Sequence, residues 1–363
     1  MKELYMGRFL IVDVGAGTVD LLCYDTDSNQ HFKAVAKSPV KTLAEEAEGV
    51  TGNLLITGTE MGGGALSSVL KRRAQGALVV MSASSAATIH HSLDKVRSWG
   101  IKVVDDKEAE DLGQTGDYRM LSTGDLEVDR LEKIVKALGV PFSFEVVGLC
   151  AQDHGRPPEG VSHLDYRHEI FKSYLDKNPF PHALLYESEE VPATFSRLRS
   201  MAQSARVLPA NEIYVMDSGM AAILGASMDS RAKQKEKVLT LDVATSHTVG
   251  AAIQGEELTG FFEYHTSDIT LKRLEGLLRE LADGTLEHKQ ILKEGGHGAY
   301  IRKAIGFETA DLIIATGPKR QLVEKSRMPI QFGSPLGDNM MTGTVGVLES
   351  IRRRKGMSPI FYL

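Results

Sequence analysis

The chain has 363 residues, which corresponds to roughly two domains at about 150 residues each. Apolar residues make up 42% and charged residues 25%, and this composition excludes global disorder and a fibrous chain. The net charge of −6 carries no basic excess, which argues against nucleic acid or an anionic membrane as the partner.

The first third of the chain begins with a predicted antiparallel meander. Apolar runs at 9–14, 18–24 and 31–36 are separated by short turns, which is typical of neighbouring antiparallel strands. Helices and strands then alternate, with helices predicted at 43–48, 65–74 and 128–138 and strands at 54–57, 77–82, 102–104, 118–121 and 144–150. Ser85 is predicted to cap a helix whose apolar face runs from Ala86 to Val96, and Gly100 follows its end.

The pattern then repeats in the second half of the chain. After a polar loop at 153–166, we predict helices at 166–175 and 194–202, a strand at 212–216 and a helix at 220–228. Three more strands at 238–243, 248–253 and 260–264 precede a helix at 271–281. A strand meander followed by a helix thus occurs twice, which indicates an internal duplication. We predict an N-terminal lobe, 1–210, with an inserted loop-helix region, and a C-terminal lobe, 211–363.

The two meanders carry equivalent turns. Asp13 and Asp242 each end an apolar strand, and small or hydroxyl residues follow. Glycines let backbone N–H groups approach a phosphate closely, and a strand-end carboxylate can hold hydrated Mg²⁺; a turn-capping role is the alternative for either aspartate. The candidate phosphate contacts are Gly15, Ala16, Gly17 and Thr18 in the first turn and Thr245, Ser246, His247 and Thr248 in the second.

Five motifs in this order resemble the actin-like ATPase superfamily, which includes actin, DnaK-type chaperones and sugar kinases. Residues 13–20 resemble its first phosphate hairpin, 217–225 its first connecting helix, 242–248 its second phosphate hairpin, 311–318 its adenosine motif and 343–348 its second connecting helix. The resemblance implies an α/β, duplicated ribonuclease H-like fold, with two lobes around a cleft. It further implies Mg²⁺ and ATP as cofactors, the metal held through Asp13 and Asp242 and the nucleotide also touching Gly317 and Pro318.

Three positions depart from that superfamily pattern. Ala244 stands where a glycine is expected, Ser246-His247 replaces another usual glycine, and Pro318 replaces the second glycine of the adenosine motif. Side chains at these positions would crowd a closely bound nucleotide. A member that kept the fold but binds another ligand is therefore an alternative.

The candidate acid–base residues follow apolar strands. Asp217 precedes the first connecting helix, where relatives of the superfamily place a group that positions water or accepts a proton; a helix N-cap is the alternative. Asp153 and His154 are adjacent in a polar loop and could act as acid and base or bind a metal, unless they only form a turn. Glu263 and His265 share one face of a strand, which points either into the cleft or to solvent.

The runs 59–64, 152–155, 262–266 and 316–318 resemble a prokaryotic family labelled as pyruvate formate-lyase activating enzyme. Such activases are radical enzymes that need three clustered cysteines, whereas this chain has only Cys23 and Cys150, far apart in the sequence. The cysteines therefore contradict a radical iron–sulfur activase. Some activators in the actin-like superfamily share one cluster across a dimer, which is an alternative that the buried position expected for Cys23 disfavours.

These features leave three functional hypotheses. The first is a phosphotransferase acting on a small molecule, with Asp217 or Asp153 as base; the second is an ATP-driven activator of a partner protein; the third is a non-ATPase ligand-binding protein. The acceptor, small molecule or protein, is not specified. We expect a cytoplasmic protein, because Glu3, Arg8 and Asp13 interrupt any apolar leader and the uncharged stretch 74–93 is rich in serine.

Overall fold

A computed structural model describes residues 7–158 and 160–362, so Glu3 lies outside the described residues. The strands are β1 Arg8–Val14, β2 Thr18–Asp25, β3 His31–Lys37, β4 Leu54–Gly58, β5 Val79–Ser82, β6 Lys102–Val104, β7 Arg119–Thr123, β8 Phe144–Ala151, β9 Leu185–Glu187, β10 Ala210–Asp217, β11 Lys237–Val243, β12 His247–Gln254, β13 Glu257–His265, β14 Gly298–Ile301, β15 Leu312–Thr316 and β16 Ile330–Phe332.

The α-helices are α1 Pro39–Gly49, α2 Gly64–Arg73, α3 Ala83–Ala86, α4 Leu93–Ser98, α5 Asp106–Gly113, α6 Val128–Ala137, α7 His163–Leu175, α8 Ser196–Ala205, α9 Ser218–Ser227, α10 Leu271–Ala282, α11 His288–Lys293 and α12 Thr342–Lys355. Short 3₁₀ helices lie at Pro181–Leu184, Phe307–Thr309, Arg320–Val323, Pro335–Gly337 and Asn339–Met341. Within the described ranges, no helix is long and apolar enough to cross a membrane.

The first six-stranded sheet has the order β3-β2-β1-β8-β10-β9. β1 pairs antiparallel with β2 and parallel with β8, and β8 pairs parallel with β10. Phe9, Leu10, Ile11 and Val12 of β1 are fully buried, as expected for a central strand that is covered on both faces. The predicted meander is thus the antiparallel half of a mixed sheet.

The second six-stranded sheet repeats this arrangement in the order β14-β13-β12-β11-β15-β16. β11, the first of these strands along the chain, pairs antiparallel with β12 and parallel with β15, as β1 does with β2 and β8. The meander that turns into parallel strands therefore occurs twice, which confirms the duplicated ribonuclease H-like order. The chain has the actin-like ATPase fold, with two lobes around a cleft.

A separate four-stranded parallel sheet, in the order β6-β5-β4-β7, is inserted between β3 and β8. Its strands were each predicted as apolar runs, but the sequence did not indicate that they form a sheet of their own. The lobe division at 210/211 stays a prediction; β10, which begins at that point, pairs within the first sheet.

The helix predicted from Ser85 onward was wrong. Two short helices replace it, and their first turns are capped by the hydroxyls of Ser82 and Ser92, at 3.3 and 3.5 Å. Ser85 is buried, and its hydroxyl donates to the carbonyl of Ile56 at 3.0 Å. The Ser85 hydroxyl is thus used in a contact with β4, and the capping hydroxyls come from Ser82 and Ser92. Gly100 follows α4 with φ of +83°, in the left-handed conformation that glycine favours.

The two predicted connecting helices, α9 and α12, cross with their backbones in contact. A Cβ placed on Gly225 would lie 1.8 Å from the carbonyl oxygen of Thr342, and one on Gly346 would lie 1.8 Å from that of Ala221. Only glycine fits at either position, because no side-chain atom has room there. The two connecting helices therefore pack directly against each other.

Candidate functional site

A cavity of about 460 Å³ lies between the two sheets and is lined by residues of both lobes. It brings together most of the residues predicted from the sequence: Asp13, Gly15, Ala16, Gly17, Thr18, Asp153, His154, Asp242, Thr245, Ser246, His247, Gly317 and Pro318. Asp217 and Thr248 are buried beside this cavity. The two hairpins that were predicted to face each other therefore do so.

The hairpin turns have equivalent geometry and meet at their tips. The backbone N–H of Gly15 donates to the Thr18 carbonyl at 3.0 Å, and that of Ala244 donates to the His247 carbonyl at 3.0 Å. A Cβ placed on Gly17 would lie 2.7 Å from Oγ1 of Thr245. Glycine at position 17 is thus required by the close approach of the second hairpin.

Three carboxyl groups lie at the base of these hairpins. Asp13 faces Asp20 across the β1–β2 pair, and Oδ1 of Asp20 is buried with no hydrogen-bond partner. Burial raises the pKa of Asp13 to about 7, with Asp242 adding to the rise, and burial with Asp13 raises the pKa of Asp20 to about 8. Burial also raises the pKa of Asp242 to about 6, although Thr316 Oγ1 donates to its Oδ1 at 2.9 Å.

This group of oxygen donors fits a hard divalent cation such as Mg²⁺, which prefers carboxylates and keeps several waters. The unpartnered Asp20 oxygen and the raised pKa values show that no positive group among the described residues fully offsets the ionised form of these carboxyls, and a bound cation would do so. Gly343, in the first turn of α12, lies against Asp13, since a Cβ there would be 2.0 Å from Oδ2. Asp20 was not singled out as a site residue from the sequence, although the turn at 15–17 fixes the strand register that places it opposite Asp13.

The carboxylates of Asp217 and Asp153 are both engaged in structural contacts. Asp217 Oδ1 accepts from the N–H of Gly219 at 2.9 Å, which makes it the N-cap of α9, and Oδ2 accepts from Arg167 at 2.8 Å. Asp153 accepts from the N–H of Gly155 at 2.7 Å and from that of Leu198 at 3.0 Å. These contacts match the N-cap and turn alternatives. Burial nevertheless raises the pKa of Asp153 to about 6.

Arg167 is a buried residue that sequence analysis missed. Its guanidinium contacts Asp217 of the first sheet and donates to Glu263 Oε2 of the second sheet at 3.1 Å. Burial opposes ionisation of Glu263, but Arg167 holds the pKa of that carboxyl well below its usual range. Gln152 Nε2 also donates to Glu263. Glu263 therefore points into the cleft rather than to solvent, and it links the lobes.

A second arginine of the cleft, the partly buried Arg197 of α8, was also missed. It donates to both carboxylate oxygens of Asp125 at 2.8 Å and to the Gln152 carbonyl at 2.7 Å. A Cβ on Gly62 would lie 2.9 Å from its Nη2 atom, so this glycine makes room for the arginine. No short-range sequence signal marks Arg197, because its partners are distant in the chain.

Four histidines lie on one side of the cleft. His247 opens β12, His265 ends β13, His297 precedes β14 and His154 follows β8. The ring centroids of His247, His265 and His297 are separated by 4.3 to 4.7 Å. Burial lowers the pKa of His247 to about 4 and that of His154 well below its usual value, so both rings are neutral at neutral pH.

Residues 61–322 match a protein-family model described as "Putative pyruvate format-lyase activating enzyme (DUF1786)". The chain belongs to this family. The match covers β5, β6 and β7 of the inserted sheet, the polar loop after β8, the second meander and the adenosine motif. It confirms the family resemblance that the short runs in those segments indicated.

The description of this family does not fit the cysteines of its present member. Cys23 of β2 and Cys150 of β8 flank β1 on opposite sides, and both are buried. Burial raises the pKa of Cys23 to about 11 and that of Cys150 well above its usual value, which disfavours the thiolates that an iron–sulfur cluster needs.

Several solved structures are similar to this family member over most of its length. The PilM–PilN type IV pilus biogenesis complex gives 11% identity, covers 96% of this chain and 98% of that chain, and has a TM-score of 0.38. A Bacteroides thetaiotaomicron protein with an actin-like ATPase fold is 9% identical, the match covers 93% of this chain and 95% of that chain, and the TM-score is 0.36. ROK hexokinase from Thermus thermophilus is 12% identical, the match covers 94% of this chain and 98% of that chain, and the TM-score is 0.33. These TM-scores are low, and the fold assignment rests on the strand order and pairing. No curated protein gives a significant match.

Proposed function

We propose that this protein is a cytoplasmic Mg-ATP-binding member of the actin-like ATPase fold that hydrolyses ATP or transfers its terminal phosphoryl group. The observation that carries the proposal is the pair of equivalent hairpins that close on one cavity, each with an aspartate at its base. Backbone N–H groups of both turns and the hydroxyls of Thr18 and Thr245 are suitable donors for phosphate oxygens.

The carboxyl groups support the cation part of this proposal. Asp13 and Asp242 would hold hydrated Mg²⁺ from opposite lobes, and Asp20 would contact a coordinated water. When bound, Mg²⁺ would neutralise charge on the phosphate oxygens. The chain's own contribution would be to position the nucleotide and to exclude water as the lobes close.

The engaged carboxylates of Asp217 and Asp153 bear on the class of reaction. A phosphotransferase needs a base with a free oxygen close to the acceptor hydroxyl. Both aspartates instead accept backbone N–H bonds, which favours an ATP-driven activator of a partner protein with slow hydrolysis. A phosphotransferase would require one of these carboxylates to exchange its present contacts.

A non-ATPase ligand-binding protein is the second candidate, and a specific contact favours it. Thr245 packs against Gly17, so the space between the hairpin tips is already narrow. Ala244 and Pro318 also line the cavity where the superfamily carries glycine. A titration with Mg-ATP separates this candidate from the ATP-binding one.

The test is calorimetric titration with Mg-ATP of the wild type, Asp13→Ala and Asp242→Ala. Asp27→Ala is the matched control, because Asp27 is exposed at the opposite end of the first hairpin. We expect binding by the wild type and the control and its loss in both cleft variants, with circular dichroism showing that all four are folded. A wild type that binds no ATP at millimolar concentration would refute the proposal and leave the ligand-binding candidate.

A further inference from the structure

Three histidines that are far apart in the sequence are brought together by strand pairing. His247 and His265 are direct partners in the β12–β13 register. The backbone N–H of His297 donates to the carbonyl of Glu263 at 2.8 Å, which places His297 beside the end of β13. The backbone of one sheet edge thus fixes all three side chains, so that their proximity does not depend on a flexible loop alone.

The distances among these rings match those in a metal site. One ring nitrogen from each of His247, His265 and His297 lies within 4.8 Å of the others. The Nε2 atoms of His265 and His297 are 3.0 Å apart. Zinc–nitrogen bonds of about 2.0–2.1 Å in a tetrahedral site imply nitrogen–nitrogen separations of about 3.3 Å. Small side-chain rotations would therefore be enough to place the three nitrogens around one ion.

A buried ring nitrogen of the cluster has no hydrogen-bond partner in the described part of the chain. Nε2 of His247 is buried and has no hydrogen-bond partner among the described residues, although such a group is costly to leave unsatisfied. A buried ring nitrogen without a partner, on a ring that packs against two other imidazoles, is accounted for if a cation lies among the three rings.

A carboxylate stands behind one of the rings. Oε1 of Glu263 is 3.6 Å from Nδ1 of His297, on the side of the ring away from His265, and Arg167 and Gln152 hold that carboxylate in place. Metal-binding histidines commonly direct their second ring nitrogen to a carboxylate, which fixes the tautomer and makes the ligating nitrogen more basic. Glu263 would have that role for His297.

We propose that His247, His265 and His297 bind one divalent transition-metal ion, for which Zn²⁺ is the reference, with a fourth coordination position open to the cleft. Imidazole ligands select ions of this class, whereas Mg²⁺ prefers the oxygen donors of the aspartates. Three protein ligands and one open position are the pattern of zinc sites that take water or substrate. His154 lies beside the open position, with its ring centroid 5.6 Å from that of His297.

This proposal goes beyond nucleotide binding and does not depend on it. The histidine site would offer a soft, nitrogen-rich centre next to the second hairpin, where an oxygen of a phosphate or carboxylate ligand could bind. Its failure and that of the ATP proposal are distinguishable, because the metal titration contains no nucleotide and leaves Asp13 and Asp242 unchanged.

The experiment titrates Zn²⁺ into untagged, chelator-treated protein in competition with a chelating dye. We compare the wild type with His265→Gln, His297→Gln and the double variant. Since loss of an outer contact alone costs about 10–100-fold in metal affinity, loss of a ligand is expected to weaken binding by about 100-fold or more. The wild type is expected to bind one Zn²⁺ per chain.

His182→Gln is the matched control, because His182 is a partly buried histidine whose Nδ1 also lacks a hydrogen-bond partner, but it lies outside the cluster. We expect it to bind Zn²⁺ as the wild type does. Co²⁺ added to the wild type is a second measurement that needs no variant, and it should give the visible absorption of a four-coordinate site. Equal Zn²⁺ affinity in the wild type and the double variant, or an octahedral Co²⁺ spectrum, would overturn the proposal.

Discussion

Arg167 is predicted to be the most sensitive single contact between the lobes. It is buried against two carboxylates, Asp217 of the first sheet and Glu263 of the second. Arg167→Met would leave both carboxylates buried without their cation, and breaking a buried ion pair from one side costs about 3–5 kcal/mol. Total stabilities are on the order of 5–15 kcal/mol, so this variant should lose a large part of its free energy of unfolding.

The measurement is urea unfolding of Arg167→Met beside Arg97→Met, a matched control in which an exposed arginine loses only its pair with Asp94. The control should change stability by less than about 1 kcal/mol. The double variant Arg167→Met, Glu263→Gln should recover part of the loss, because one uncompensated charge is removed. Equal stability of the two single variants would refute the reasoning.

The pH dependence of this variant has a definite sign. In the wild type the pKa of Glu263 is depressed, so its stabilising effect is present above the pKa of an unfolded glutamate and is lost as the pH falls through the lower folded value. Without Arg167, burial raises the pKa of Glu263, and protonation then relieves the penalty. The stability difference between wild type and Arg167→Met should therefore narrow as the pH is lowered from 7 to 5.

Two further predictions concern packing and protonation. Gly346→Ala would push a Cβ against the carbonyl of Ala221 and should cost about 1–3 kcal/mol or more in thermal unfolding. Gly276→Ala of α10 should instead stabilise by about 0.5–1 kcal/mol, because a Cβ there would make only ordinary contacts with the ends of Arg273 and Glu280. Similar melting shifts in the two variants would contradict the backbone contact. Burial lowers the pKa of His182 to about 4, below the value of about 6.5 in an unfolded chain. The contribution of His182 to the free energy of unfolding should therefore fall by about 1 kcal/mol between pH 7 and 5, after allowance for partial exposure. In urea unfolding at the two pH values, His182→Gln should show a pH dependence that is smaller than that of the wild type by this amount, and an unchanged dependence would contradict the assignment.

The hairpins were predictable because their signals are local. The strand before Asp13 and the strand before Asp242 each read as an apolar run ending in an acid and small residues, and the short turn fixes the antiparallel partner. The crossing helices were predictable for a related reason, since Gly225 and Gly346 stand within small-residue runs. These features needed only neighbouring residues and the order of the motifs.

The remaining features depend on pairings between distant segments. β4 lies between β5 and β7 in a separate sheet, and nothing within an isolated apolar run indicates which sheet it joins. Arg167 and Arg197 find their acidic partners only after the fold has formed. His297 approaches His265 only through the β13–β14 edge, which a single sequence does not reveal. The N-cap position of Asp217 was one of its two local alternatives, whereas its contact with Arg167 was not predictable from neighbouring residues.

The contact between α9 and α12 has a mechanical consequence for the cleft. The helix backbones touch at Gly225 and Gly346, where neither glycine has a side chain that could interlock with the other helix. The crossing is therefore a point about which the two helices could rotate. The first turn of α12 also touches the Asp13 carboxylate through Gly343. A change of charge at the Asp13 carboxylate would therefore act on α12 close to its crossing with α9. A rotation of the lobes about this crossing would displace the outer strands of each lobe more than the residues at the crossing itself.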